Sequence, residues 1–204
     1  MKIIKVETLA SSGPFAESEA WRKIRNDLHV GIRAVVWPKG STKFTIYPQS
    51  GKKRGQGNGV KPIKYGLIKR LTKKRWHSEV SVDLGVTPNP GKFDAVLKSA
   101  EHKPVVLEWE TGNISSSHRA LNKMALGLRN GMLAAGVLVV PSRKFYRYLT
   151  DRIGNFEELV PYLSLWSSVQ YPDGAVLEIV VIEQDAESLK VPRIPKGTDG
   201  RSAV

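Results

Sequence analysis

Val105-Val106-Leu107-Glu108-Trp109-Glu110-Thr111-Gly112-Asn113-Ile114-Ser115 begins as an apolar strand and ends as the start of a helix. Side chains alternate faces along a strand, so Glu108 and Glu110 share one face while Leu107 and Trp109 point the other way, into the core. Thr111-Gly112-Asn113 breaks the strand. Ser115-Ser116-Ser117 then offers hydroxyl caps for a helix carrying Leu121, Met124, Ala125 and Leu128 at helical spacing. An isolated Glu-x-Glu more often marks a surface strand with two solvated carboxylates. Here the preceding run is too apolar for an edge strand, and the following one is a polar, glycine-broken turn of the kind that carries function.

The rest of the chain alternates helix and strand patterns around that stretch. Glu17 to Val36 reads as an amphipathic helix with Ala20, Trp21, Ile24, Leu28, Ile32 and Val35 near one face. Phe44 to Pro48 reads as a short strand, Gly51 to Gly59 as a loop, and Pro62 to Trp76 as a helix with Ile63, Leu67, Ile68 and Leu71 facing inward. After Glu79, Val80 to Leu84 reads as a strand, and Pro88-Asn89-Pro90-Gly91 turns the chain into a short strand that opens near Asp94. Beyond the central stretch come helices at about 116–130, 143–152 and 156–163, and strands at 135–140 and 176–182. This alternation predicts an α/β fold, a single domain over residues 1–204 with a central mixed β-sheet flanked by helices on both faces.

Composition narrows the partners. Lys and Arg outnumber Asp and Glu by 32 to 19, a formal net charge of +13, and the excess is regional. Between Leu28 and Ser78 stand thirteen basic residues and no acidic one, which favours a polyanion such as double-stranded DNA. The absence of cysteine rules out disulfides and thiolate metal sites and fits a reducing, cytoplasmic setting. No stretch has the length and apolarity of a membrane span or signal peptide, so no membrane partner is expected. The glycine-rich loop Gly51 to Gly59 lacks the Gly-Lys-Ser/Thr ending of a P-loop and the strand-to-helix context of a Rossmann turn, which leaves a basic loop lying along a phosphate backbone.

Asp94 and Glu108, on adjacent strands, form an oxygen-only pair suited to magnesium, and Glu110 is placed to accept a proton. Together with the basic region this points to phosphodiester hydrolysis. A glycosidase would need its carboxyl groups on opposite sides of a sugar and would leave the basic half idle. A non-catalytic basic DNA-binding protein would gain nothing from acid concentrated beside phosphate, and RNA binding would call for an exposed aromatic platform that the sequence does not offer. His118, in the first turns of a helix with no triad partner, reads as a capping or phosphate-bonding residue, and Trp109, Trp166, Tyr146 and Tyr148 read as packing residues.

Longer words in the sequence carry a resemblance. Trp37-Pro38 with Phe44-Thr45-Ile46, Asn58-Gly59-Val60, Pro62-Ile63-Lys64, Asp94, Glu108 to Ser116 with His118-Arg119, Tyr148 to Arg152, Asn155 to Leu159, and Ile194 to Gly200 together resemble the type II restriction endonucleases of the BamHI group, within the wider PD-(D/E)xK nucleases. The resemblance implies that Asp94, Glu108 and the carbonyl of Trp109 hold one or two Mg2+ ions and that Glu110 acts as general base. Glu110 stands where most PD-(D/E)xK nucleases have lysine, a trait of this group. Glu79 matches an acidic position at the edge of the site, and Lys64 a basic position near the phosphates, with Lys61 beside it. By the same resemblance, Asp151-Arg152 reads the outer G·C pair of a half-site, Arg119 and Asp199 the middle G·C pair, and Asn113 and Ser115 the inner A·T pair. The implied activity is cleavage of GGATCC after the first G, leaving a 5′ overhang, by a homodimer whose host is protected by a cognate DNA methyltransferase. A relaxed or different GATC-centred site is the alternative within the class. Helices within Ser116 to Asn130 and Asn155 to Leu165 would build the dimer. Val160, Ser164 and Ser167 stand where the group's namesake has acidic residues, and Arg129-Asn130 where it has Lys-His, so salt bridges between subunits must be arranged differently. The chain stops soon after Asp199, which argues against a gating C-terminal arm, though Pro195 to Arg201 could still reach the minor groove.

Overall fold

The computed structural model describes residues 1–53, 55–150 and 153–196. Strands β1 (Lys2–Ser12), β2 (Thr45–Ile46), β3 (Trp76–Ser81), β4 (Lys92–Leu97), β5 (Val105–Trp109), β6 (Ala135–Pro141), β7 (Ala175–Glu183) and β8 (Ala186–Glu187) are joined by helices α1 (Gly13–Glu17), α2 (Glu19–Arg33), α3 (Lys61–Thr72), α4 (Ile114–Arg129), α5 (Arg143–Tyr146), α6 (Phe156–Leu159) and α7 (Leu163–Ser167). Six strands form one sheet in the order β1-β7-β6-β5-β4-β3, and β2 pairs with β8 in a parallel two-residue ladder. The central strands β5, β6 and β7 are parallel, and antiparallel strands complete the sheet on both sides.

The three parallel strands are buried on both faces, which is why they read as near-continuous apolar runs. Trp21, Ile24, Leu28 and Ile32 of α2 and Ile63, Leu67 and Leu71 of α3 cover one face, packing with Leu107, Trp109, Val137 and Val180. Leu121, Met124 and Leu128 of α4 and Trp166 of α7 cover the other, with Val106, Leu138 and Ile179. The expected mixed sheet with helices on both faces is therefore what forms. Arg25 adds a polar tie on the α2 side, its Nε lying 3.0 Å from Oε2 of the buried Glu178. Among the described residues no helix is long and apolar enough to cross a membrane.

Several boundaries differ from the sequence expectation. The helix expected over 143–152 stops at Tyr146, because the chain then turns to place Leu149 in a bridge with Asn58. The helix expected over 156–163 breaks into α6, a 3-10 turn at Val160–Tyr162 and α7, since Pro161 lacks the N–H that a continuous helix needs. The helix expected to run to Trp76 ends at Thr72, and β3 begins at Trp76 rather than Val80. The cap of α4 is Asn113, whose side chain accepts from the Ser116 N–H, rather than a serine of the 115–117 run.

The loop at 51–59 has no regular structure among its described residues, and its glycines serve packing. A Cβ on Gly51 would lie 1.5 Å from the Leu149 carbonyl oxygen, and one on Gly57 2.6 Å from the same atom. Fully buried Asn58 ties the loop down. Its Nδ2 donates to the carbonyls of Tyr47 and Tyr148, and its Oδ1 accepts from the Ile194 N–H. Lys52 and Lys53 remain exposed on the outside.

Candidate active site and DNA interface

The antiparallel ladder between β4 and β5 ends at the pair Ala95↔Leu107. One step further, where Asp94 and Glu108 face each other, side chains replace the ladder. The Asp94 N–H donates to Glu108 Oε2 (3.2 Å), and the Trp109 N–H donates to Asp94 Oδ2 (2.8 Å). Each carboxylate is thus oriented by the backbone of the other strand. The Glu110 N–H continues toward β6 by donating to the Val139 carbonyl, so Glu110 leaves the sheet edge on the same face as Glu108. Gly112 leaves room for it, since a Cβ there would sit 3.3 Å from Glu110 Oε2.

Among the described residues, two ammonium groups meet this carboxylate set. Lys64, from the first turn of α3, places Nζ 2.5 Å from Asp94 Oδ1 and 3.7 Å from Glu79 Oε1. Lys123, from the middle of α4, places Nζ 2.5 Å from Glu108 Oε1 and 2.5 Å from the Lys92 carbonyl, 4.1 Å from the centroid of the Phe93 ring. Glu79 has a positive φ of 55°, and its neighbours pair as Ser78↔Ala95 and Val80↔Phe93, so it lies across from Asp94 at the rim. A cavity of about 350 Å³ opens over the group, lined by Asp94, Glu108, Glu110, Ser116, Arg119 and Lys123 among others. An adjoining cavity of about 450 Å³ runs along α4 past Ser115, His118, Arg119 and Asn122.

Crowding of acids in a partly dry site sets the electrostatics. Burial, then the charges of Glu108 and Asp94, push the Glu110 carboxyl up to about 7, against the pull of Lys64 and Arg119. Burial and then Asp94 also push Glu108 up, while Lys123 and the Asp94 N–H pull it down. Burial works against the charge on Lys64, but Asp94, Glu79 and Glu108 outweigh it and hold its pKa above the ordinary lysine value. A carboxyl held near neutrality can take up or release a proton under working conditions.

The donor set is all oxygen, as a hard dication requires. Among the described residues no three His, Cys, Asp or Glu side chains form a ready metal cage. Magnesium needs none, because it is commonly held by one or two carboxylates with substrate phosphate and water completing the shell. The Asp94–Glu108 pair therefore fits.

The recognition candidates divide by position. Asn113, Ser115 and Arg119 are all exposed in the first turns of α4, with Ser115 and Arg119 four residues apart on one helix face. Asn113 Oδ1 is committed to the cap. Asp151, Arg152 and Asp199 lie outside the described residues; the adjoining Gly154 N–H donates to the Gly112 carbonyl, so the segment after Arg152 docks on the turn after Glu110. Lys61 opens α3, and its side chain lies outside what is described. His118 packs edge-on against Tyr162 at 4.8 Å and tilted against Trp166 at 5.5 Å, so it joins α4 to the segment around Pro161 rather than to the carboxylates. Trp109 and Trp166 are buried, as packing residues should be. Lys123 was not foreseen. The available signal was its place beside the buried stripe of Ala120, Leu121 and Met124, where a solvated lysine would be out of place.

Comparison with known proteins places the chain in a family. A family model described as restriction endonuclease BamHI matches residues 1–201. The type II restriction enzyme OkrAI of Oceanobacter kriegii is 46% identical over 202 residues, covering 99% of each chain. The type II restriction enzyme BamHI of Bacillus amyloliquefaciens is 35% identical over 185 residues, covering 87% of this chain and 81% of that one. The crystal structure of the restriction endonuclease BglII complexed with a DNA 16-mer matches with a TM-score of 0.57 over 95% of this chain and 88% of that one, at 11% identity, a likeness of fold alone.

Proposed function

The chain belongs to the BamHI family of type II restriction endonucleases, and we propose that it cleaves double-stranded DNA at GGATCC, after the first G, with magnesium as cofactor. The observation that carries this reading is the convergence of Asp94, Glu108 and Glu110 on one cavity that Arg119 of α4 also lines.

In this reading Asp94 and Glu108, with the Trp109 carbonyl, would hold one or two Mg2+ ions, whose chemistry would be to supply positive charge against the charge that develops on the phosphoryl oxygens. Glu110 accepts the proton of the water that attacks phosphorus. The bond from phosphorus to the 3′ oxygen breaks, leaving a 5′-phosphate on the overhang and a 3′-hydroxyl. Lys64 neutralises the acidic cluster from the α3 side and, with Lys61, meets the DNA phosphates. Glu79, exposed at the rim, balances Lys64. Asn113, Ser115 and Arg119 read bases from the helix that begins four residues after Glu110, and Asp151, Arg152 and Asp199 complete the half-site.

A palindrome calls for a two-fold dimer, each subunit reading one half and cutting one strand. Val160 (47% exposed), Tyr162 (45%) and Leu165 (63%) place apolar surface beside α4, in the region where the homodimer is expected. A cognate methyltransferase would protect the host's own sites.

Digesting plasmid DNA with purified protein and magnesium, then sequencing the ends, tests the proposal. Every end should map to G^GATCC with a 5′-phosphate. Ends at other sites would overturn the specificity, and uncut DNA from a folded preparation would overturn the magnesium-dependent activity.

A further inference from the structure

Lys123 is the one residue of α4 that holds both strands of the carboxylate pair. Its ammonium touches Glu108 on β5 and, on β4, the carbonyl of Lys92, two residues before Asp94. It lies four residues, about one turn, after Arg119. The side chain is only 6% exposed, and the Phe93 ring closes over it at 4.1 Å, so the ammonium has little freedom to move independently of its helix. A helix moves as a rigid rod. Any adjustment of α4 as Asn113, Ser115 and Arg119 engage bases is transmitted to Lys123, and through it to Glu108 and to the entry of β4. Lys64 makes an ion pair of the same length with Asp94, but it comes from α3, which bears none of the base-reading candidates.

We propose that Lys123 is a positioning residue that couples base reading by α4 to the placement of Glu108, so that the correctness of the site sets the cutting rate of DNA already bound. The proposal rests on the reading of Glu108 as a metal-holding carboxylate and of α4 as the reading helix.

The chain has no cysteine, so Lys123→Cys introduces a unique thiol. Alkylating the unfolded variant with 2-bromoethylamine and refolding it restores an ammonium at lysine's length, and iodoacetamide gives a neutral side chain of similar size. Two quantities are read for each form. One is affinity for a GGATCC duplex and for a duplex changed at one base pair, with calcium in place of magnesium. The other is the single-turnover cutting rate of each bound duplex with magnesium. The neutral form should bind the GGATCC duplex within about threefold of the unaltered protein yet cut it about fiftyfold more slowly or worse, with the difference in cutting rate between the two bound duplexes shrinking to within about fivefold. The aminoethyl form should recover both the rate and the difference. Lys123→Met, made directly in cells and checked for native circular dichroism, carries the same measurements should the alkylated forms not refold.

Cutting at near-normal rate with discrimination intact, loss of binding in proportion to cutting, or no recovery on aminoethylation would each overturn the proposal. Glu108→Ala is the control. If it still cuts, the premise fails; if it is inactive while the neutral Lys123 forms cut normally, only the role of Lys123 fails.

Discussion

Asp94 and Glu108 each meet a lysine at 2.5 Å, yet the two arms of the site are built differently. On the α3 arm Lys64 is one-third exposed, shared with Glu79, and backed by a basic surface that includes Lys69, Arg70 and Lys73. On the α4 arm Lys123 and Glu108 are both more than nine-tenths buried, and the Phe93 ring lies against the ammonium. An exposed ammonium can leave its carboxylate for a phosphate at little cost. A buried one cannot, because it would leave an uncompensated charge behind. The α3 arm is suited to meeting substrate, and the α4 arm to fixing geometry.

Stability measurements give the largest expected contrast between the arms. Removing one partner of a buried ion pair costs about 3–5 kcal/mol, so Lys123→Met should lower the free energy of unfolding by about that amount. Lys64→Met, at the pair whose lysine is one-third exposed, should cost distinctly less. Equal losses in urea titrations of the two variants would erase the distinction.

A smaller effect sharpens the role of the α4 arm. Arg119→Ala should cost about 1–3 kcal/mol of discrimination at the middle G·C pair, the worth of one good bidentate contact. Competition binding between GGATCC and duplexes altered at that pair checks it; an equal weakening toward all sequences would make Arg119 a phosphate contact.

A pH-dependent effect falls behind the α3 arm, on α2. Burial, then Arg25 and Arg33, push His29 down from 6.5 to about 4. The unfolded chain binds this proton more tightly than the folded one, so stability is full above pH 6.5 and is lost as pH falls toward 4. Thermal melting across that range should decline, and His29→Gln should flatten part of the decline; an unchanged slope would show that His29 contributes nothing to it.

The same contrast explains what the sequence revealed. The α4 arm's strand was legible because Glu108 and Glu110 interrupt an apolar run at a spacing of two, and Asp94 follows a turn that any reader would place beside it. Lys123 was harder to read, since a lysine in an amphipathic helix is normally solvated; its place beside Ala120, Leu121 and Met124 was the one hint, and its contact with Glu108 gives its partner. The long strand β1 went unread because Lys2, Lys5 and Glu7 interrupt its alternation. Register shifts between Ile3 and Lys5 and between Thr8 and Ala10 change which face each residue takes. The glycines of the 51–59 loop read as freedom, whereas Gly51 and Gly57 are required by the close approach of Leu149, a contact distant in sequence. Asn113, expected as a base contact, is the cap of α4, so the residue that sets the helix start stands among the base-reading candidates.

We propose that recognition and cleavage share the segment from Glu108 to Arg119 while using different side chains of it. Glu110→Ala tests this most directly, by measuring binding and single-turnover cutting on one GGATCC duplex. The expected result is site-specific binding at native affinity with cutting abolished in magnesium. Cutting that persists, or a variant that loses its fold and its binding together, would contradict the assignment of Glu110 as the base.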